Sequence, residues 1–148
     1  MLEAGALAPN VTLVNAAGEP VTLESFRGRK LVLFFYPKDN TAGCTAEACA
    51  FRDDYEAFVD AGAVVAGVSS DDAASHARFA GRHRLPFLLL SDPGESARRA
   101  FGIPKTWRLF PGRATFVIDA AGTILRAFDS QFEPLRHVRE ALSALRSS

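Results

Sequence analysis

The stretch DNTAGCTAEACAF, residues 39–51, carries both cysteines of the 148-residue chain, Cys44 and Cys49. Cysteine attacks as its thiolate, and a helix N-terminus lowers a thiol's pKa because its first N–H groups are unpaired and carry partial positive charge. If Thr41 caps the helix indicated by the spacing, Cys44 falls in its first turn and is set up as a nucleophile. The competing reading is a small buried hydrophobe, since Cys44 also heads the apolar series Cys44, Ala48, Phe51, Tyr55 and Phe58. Spacing alone leaves both open.

Cys49 falls off that series and lines up with Arg52, Asp53 and Glu56 on the polar side of the helix. In an intact α-helix, five positions separate the Cα atoms by about 8.6 Å, from a rise of roughly 7.5 Å and a chord of roughly 4.3 Å. A disulfide needs less than about 7 Å. A permanent bridge is therefore excluded, which leaves a transient bond with local unwinding or no bond at all. Gly43, a poor helix residue beside Cys44, would ease unwinding, or else marks close packing of the backbone.

The elements that must hold these thiols read as one α/β domain over residues 1–148. Apolar residues make up 48% and charged residues 23%, the balance of a chain with a packed core. NVTLVNAAGEPVTL reads as a hairpin, and KLVLFFYP as a strand covered on both faces and stopped by Pro37. A helix over about 42–61 follows, then a strand at Ala63–Ser70. Ser70 or Asp71 caps the next helix, followed by a strand at Phe87–Leu90 and a short helix ending at Gly102. ATFVID and TILRAF form a second hairpin, and a last amphipathic helix places Leu135, Val138, Leu142 and Leu145 on one side. Strands alternating with helices predict a mixed central sheet flanked by helices.

Other chemistries find little support. Seventeen basic and seventeen acidic residues, interspersed, lack the footprint of a nucleic-acid or anionic-membrane binder. No apolar run approaches a membrane span, and MLEAGALAPN lacks the pattern of a secretory signal, so a soluble cytoplasmic protein is expected. His76, His83 and His137 are scattered over predicted helices with no cysteine pair nearby to complete a zinc site; surface positions are expected for them, and no metal. GVSSDD is not a phosphate loop and no dinucleotide fingerprint follows a strand, so no nucleotide cofactor is expected. Lys38 and Asp39 read as solvated loop charges, and Trp107 and Phe110 as packing residues that could also wall a site.

VLFFYPKDNTAGCTAEACAFRDDY closely resembles the active-site segment of the peroxiredoxins, in particular the peroxiredoxin Q or bacterioferritin comigratory protein subfamily. Pro37, Thr41 and Cys44 meet its Pro-x-x-x-Thr-x-x-Cys pattern, and Cys49 matches the subfamily's second cysteine. GALAPNVTL, FRGRKLVLFFYPKDN, GVSSDD and GRATFVID match further segments in order, so the likeness spans essentially the whole chain. Ala42 stands where the subfamily usually has proline, and Ala114 where serine is common; neither position supplies a reacting group.

The resemblance implies a thioredoxin-like fold with an N-terminal β-hairpin extension, and a thiol peroxidase acting on hydrogen peroxide and organic hydroperoxides. Cys44 would be the peroxidatic cysteine and Cys49 the resolving one, with Thr41 and Arg113 assisting the reacting sulfur and Pro37 shaping the loop. Thr41 would offer its hydroxyl while also capping the helix. Glu47 would either orient Arg113 or be one of several solvated helix charges, the latter being the simpler expectation. No cofactor is implied; the partners are a peroxide and thioredoxin or a similar dithiol reductase, and the state is monomeric. Two other functions use the same residues: a peroxide sensor that passes its disulfide to a client, and a non-enzymatic thioredoxin-like adaptor.

Overall fold

In the computed structural model, which describes residues 1–105 and 111–147, the strands are β1 (Thr12–Val14), β2 (Pro20–Thr22), β3 (Lys30–Phe35), β4 (Ala63–Ser69), β5 (Leu88–Ser91), β6 (Ala114–Ile118) and β7 (Ile124–Asp129). The α-helices are α1 (Ala42–Asp53), α2 (Tyr55–Asp60), α3 (Ala73–His83), α4 (Ser96–Phe101) and α5 (Pro134–Arg146). All seven strands join one mixed sheet in the order β2-β1-β5-β4-β3-β6-β7. The central strand β3 runs parallel to β4 and antiparallel to β6. The two expected hairpins are β1–β2 and β6–β7.

Alternation along β3 splits the core. Val32, Phe34 and Tyr36 face one layer with Cys44, Phe51, Phe58, Phe79 and Val138, while Leu31, Leu33 and Phe35 face the other with Leu13, Ala97, Phe101 and Phe116. The Phe34 ring stacks on Phe51 with centroids 4.4 Å apart, fixing α1 over the sheet. Gly67 makes that possible: a Cβ there would lie 2.6 Å from the Phe34 ring.

Three sequence expectations need correction. The helix over 42–61 is two, broken at Asp54 (φ −100°, ψ 11°), where aspartate competes poorly for helical backbone. The cap of α3 is Asp72, whose side chain accepts from Ser75 N–H, because Asp71 is turned back onto Ser69 and the Asp39 amide. On α5, Leu135 is 52% exposed, and the inward positions go to His137, Val138, Ala141, Ala144 and Leu145.

Candidate active site

Topology brings the chemistry together at the carboxyl end of β3. The chain leaves β3 through Tyr36 and Pro37, turns at Asn40 (φ 63°) and enters α1, which places Cys44 in the first turn. Phe35 pairs with Ala114, so antiparallel β6 begins where β3 ends and delivers Arg113 to the same edge.

There Arg113 Nη2 lies 3.5 Å from Cys44 Sγ, and both side chains are almost wholly buried. A guanidinium at that distance, screened from water, stabilises negative charge on the sulfur. The cation is fixed by two further bonds, from Nη1 to Glu47 Oε1 at 2.8 Å and from Nε to the Gln131 carbonyl at 3.2 Å. Burial alone would lower the Arg113 pKa, but Glu47 and Cys44 outweigh it and the net shift is upward. Gly43 leaves room for this contact, since a Cβ there would sit 3.1 Å from Arg113 Nη2 and the guanidinium would have to give by a few tenths of an ångström. Of the two readings of Gly43, close packing is the one observed.

Glu47 is not a solvated helix charge. It is fully buried, and burial pushes its pKa up to about 8 against the opposing pull of Arg113. Thr41 occupies the N-cap position, yet its side chain makes no cap bond; Oγ1 donates to the Lys38 carbonyl at 2.8 Å. Pro37 is half-buried in the loop between Tyr36 and Lys38. Cys49 is half-buried, and both cysteines are free thiols. Trp107 and Phe110 lie outside the described residues.

Several residues of this region escaped the sequence reading. Arg98, on α4, is 5% exposed and donates from Nη2 to the Tyr36 carbonyl at 2.7 Å and from Nη1 to the Gly112 carbonyl, clamping the ends of β3 and β6 together. Burial lowers its pKa, opposed by Glu95, Asp92 and Cys44, so it is a second cation felt by the sulfur. His76 and His137, expected at the surface, are fully buried, and His83 is half-buried. Asp39, expected in solvent, is 4% exposed: it accepts from Tyr36 Oη at 2.6 Å and Ser75 Oγ at 2.8 Å and meets His76 Nδ1 at 2.8 Å. Apolar patterning alone hid these histidines, because His76 shares the inward face of α3 with Phe79 and His137 that of α5 with Val138, Ala141, Ala144 and Leu145. Among the described residues, no three His, Cys, Asp or Glu side chains cluster as metal ligands.

The AhpC/TSA family model matches residues 4–127. This chain belongs to that family. Peroxiredoxin Q of rice, Oryza sativa subsp. japonica, is 48% identical over 144 residues, which cover 97% of this chain and 66% of the rice protein. Its counterpart in Arabidopsis thaliana is 46% identical over 145 residues, covering 97% and 67%. The chain thus spans about two thirds of the length of these curated relatives. Among solved structures, Mycobacterium tuberculosis peroxidoxin BcpB superimposes with a TM-score of 0.91 at 34% identity, covering 99% of this chain and 98% of that one. Peroxiredoxin Q of Xanthomonas campestris gives 0.86 at 33% identity, covering 93% and 90%. The fold is therefore the thioredoxin-like fold of the AhpC/TSA peroxiredoxins, and the likeness to peroxiredoxin Q holds. The cytoplasmic expectation does not stand: the rice and Arabidopsis relatives are chloroplastic by name.

Proposed function

We propose that this chain is a thiol peroxidase of the peroxiredoxin Q type, with Cys44 as the attacking sulfur and Cys49 as the resolving thiol. The observation that carries the reading is the contact of Arg113 Nη2 with Cys44 Sγ at 3.5 Å, held on its other side by Glu47. A small packing residue needs no such buried cation.

In the first step the Cys44 thiolate attacks one peroxide oxygen. An S–O bond forms, the O–O bond breaks, the sulfur loses two electrons to become a sulfenic acid, and the departing oxygen leaves as water or an alcohol after taking up a proton. Negative charge moves from sulfur onto the departing oxygen, so the fixed Arg113 and the nearby Arg98 favour the transition state. The Thr41 hydroxyl, now spent on the Lys38 carbonyl, keeps its lone pairs for a peroxide O–H.

In the second step the Cys49 thiolate attacks the sulfenic sulfur; an S–S bond forms, the S–O bond breaks, and hydroxide leaves as water. The first turns of α1 must open for the two sulfurs to meet, and opening withdraws Glu47 from Arg113. A dithiol such as thioredoxin then restores both thiols by exchange. Both cysteines lie on one helix of one chain, so this disulfide needs no sulfur from a second subunit. Organic hydroperoxides join hydrogen peroxide as substrates on the strength of the Xanthomonas campestris bacterioferritin comigratory protein, whose structure was described with its alkyl peroxide reduction.

The test is stopped-flow oxidation of the reduced protein by stoichiometric hydrogen peroxide, followed by intact mass and peptide mapping. Rapid loss of two hydrogens with a Cys44–Cys49 link is expected, and Cys49→Ser should stop at the sulfenic acid. A reaction as slow as that of free cysteine overturns the enzyme and leaves the adaptor.

A further inference from the structure

Behind Arg113, the second Glu47 oxygen has no hydrogen-bond partner. Oε1 accepts from Arg113, but Oε2, fully buried, is 3.7 Å from His137 Nδ1 and bonds to nothing. The His137 ring leaves little choice of tautomer. Its Nε2 lies 2.8 Å from the Ser130 carbonyl, an acceptor, so Nε2 carries a hydrogen. In a neutral ring Nδ1 then presents a lone pair toward Glu47. The Thr115 hydroxyl can donate to that lone pair, but Glu47 Oε2 has no donor at all; an ionised carboxylate oxygen left unpaired in a dry site and facing a ring lone pair is costly, and a proton on it removes the charge.

We propose that Glu47 and His137 together hold one proton in the reduced protein, carried chiefly by Glu47 Oε2, which makes the pair net neutral and leaves the positive charge of Arg113 for the Cys44 sulfur. The balance is the same whether the proton sits on the carboxyl or on the ring, because an acid beside an imidazole and a carboxylate beside an imidazolium both sum to zero. Thr115 Oγ1, 2.8 Å from the same Nδ1, donates to the ring or accepts from it accordingly. His137 is thus a positioning residue: it touches no substrate and acts through Glu47 on Arg113.

The surrounding charges favour this assignment. Burial holds the Glu47 pKa up, near 8, and brings that of His137 down to about 4, placing the proton chiefly on the carboxyl. Arg113 opposes charge on the ring, while Asp129 and Glu133 favour it from the other side. Arg98 and Cys44 face Arg113 from beyond. With a neutral pair, Glu47 still accepts a hydrogen bond from Arg113 and orients it without cancelling it.

The inference rests on the peroxidase reading for its consequence but not for its proton, so the two are tested separately. Carbon-13 NMR of labelled glutamate, with the Glu47 signal assigned by its loss in Glu47→Gln, and nitrogen-15 NMR of the histidine rings count the protons on the reduced protein at pH 7. One proton on the pair is expected; an ionised Glu47 beside a His137 bare at Nδ1 overturns the proposal whether or not Cys44 reacts with peroxide. The rate of Cys44 oxidation by hydrogen peroxide should then fall at least about tenfold above pH 8 as the proton leaves and Glu47 cancels Arg113. That falling limb should be absent from Glu47→Gln and should move down by about one pH unit in His137→Gln, which keeps a donor for Ser130 but removes the second proton holder. A limb unmoved in His137→Gln excludes the ring from the device.

Discussion

Two buried carboxylates flank Cys44, each beside a buried histidine, and they are supplied very differently. Asp39 accepts from Tyr36 and Ser75 and meets His76 Nδ1 at 2.8 Å, while the second nitrogen of His76 lies 3.1 Å from the Leu90 carbonyl. Burial would raise the Asp39 pKa, but the bonds from His76, Tyr36 and Ser75 win and hold it below the usual carboxylate range. Glu47 receives donors on one oxygen only, and burial wins there. Burial is thus shared by both sites, and the number of donors decides the charge. The ionised Asp39 ties the loop after β3 to α3 through Ser75 and His76, whereas Glu47 sits on the helix that the proposed Cys44–Cys49 bond would open.

The sharpest way to break this contrast is to remove the donor that Glu47 does have. Arg113→Met takes away both the bond to Glu47 and the cation at the sulfur, and the rate of Cys44 oxidation by peroxide should fall about 10²–10³-fold. Charge removal at the two carboxylates should then separate them. Asp39→Asn takes a charged acceptor from the buried donors Tyr36 and Ser75 and from His76, and should cost about 2–3 kcal/mol in chemical denaturation at pH 7. Glu47→Gln removes a charge that is mostly absent at that pH and should cost less than about 1 kcal/mol in the same assay. Equal costs would mean that Glu47 is ionised too.

Stability against pH sharpens the comparison further. Glu47 has a folded pKa of about 8 against an ordinary 4.5, so the folded state retains its proton; that stabilisation is complete below pH 4.5 and is lost as pH rises through 8. His137 has a folded pKa of about 4 against 6.5, so its contribution is present above pH 6.5 and is lost as pH falls toward 4. The two slopes oppose each other between 4.5 and 6.5 and only the Glu47 slope remains above 6.5. Denaturation of the native protein should therefore show a loss of up to about 2 kcal/mol between pH 6.5 and 8 that Glu47→Gln lacks.

The contrast also explains what the sequence revealed and what it did not. The strands, both hairpins and the stripe from Cys44 to Phe58 were legible because apolar periodicity reports burial directly, and the Thr41 to Cys49 spacing pointed to the thiols. Arg113 came through the family pattern alone. Asp39, His76, His137 and Arg98 were misplaced or missed because polar residues read as exposed, and partners that bury them are distant in sequence: His76 is 37 positions from Asp39 and 14 from Leu90, and Arg98 is 62 from Tyr36. Donor counts belong to the assembled fold, and no local pattern encodes them.

Gly43 should give the smallest effect, on the mobile side of the comparison. Alanine there strengthens the first turn of α1 by about 1 kcal/mol of helix propensity. Its Cβ, 3.1 Å from Arg113 Nη2, also pushes the guanidinium a few tenths of an ångström off the sulfur. Both changes work against the cycle at different steps. A stiffer turn raises the cost of opening, so formation of the Cys44–Cys49 disulfide after oxidation should slow about fivefold, the rate equivalent of about 1 kcal/mol. If the fluorescence or mass-resolved rate of disulfide formation were unchanged while sulfenic acid formed more slowly, the steric push on Arg113 would be the whole effect, and the first turn of α1 would not limit opening.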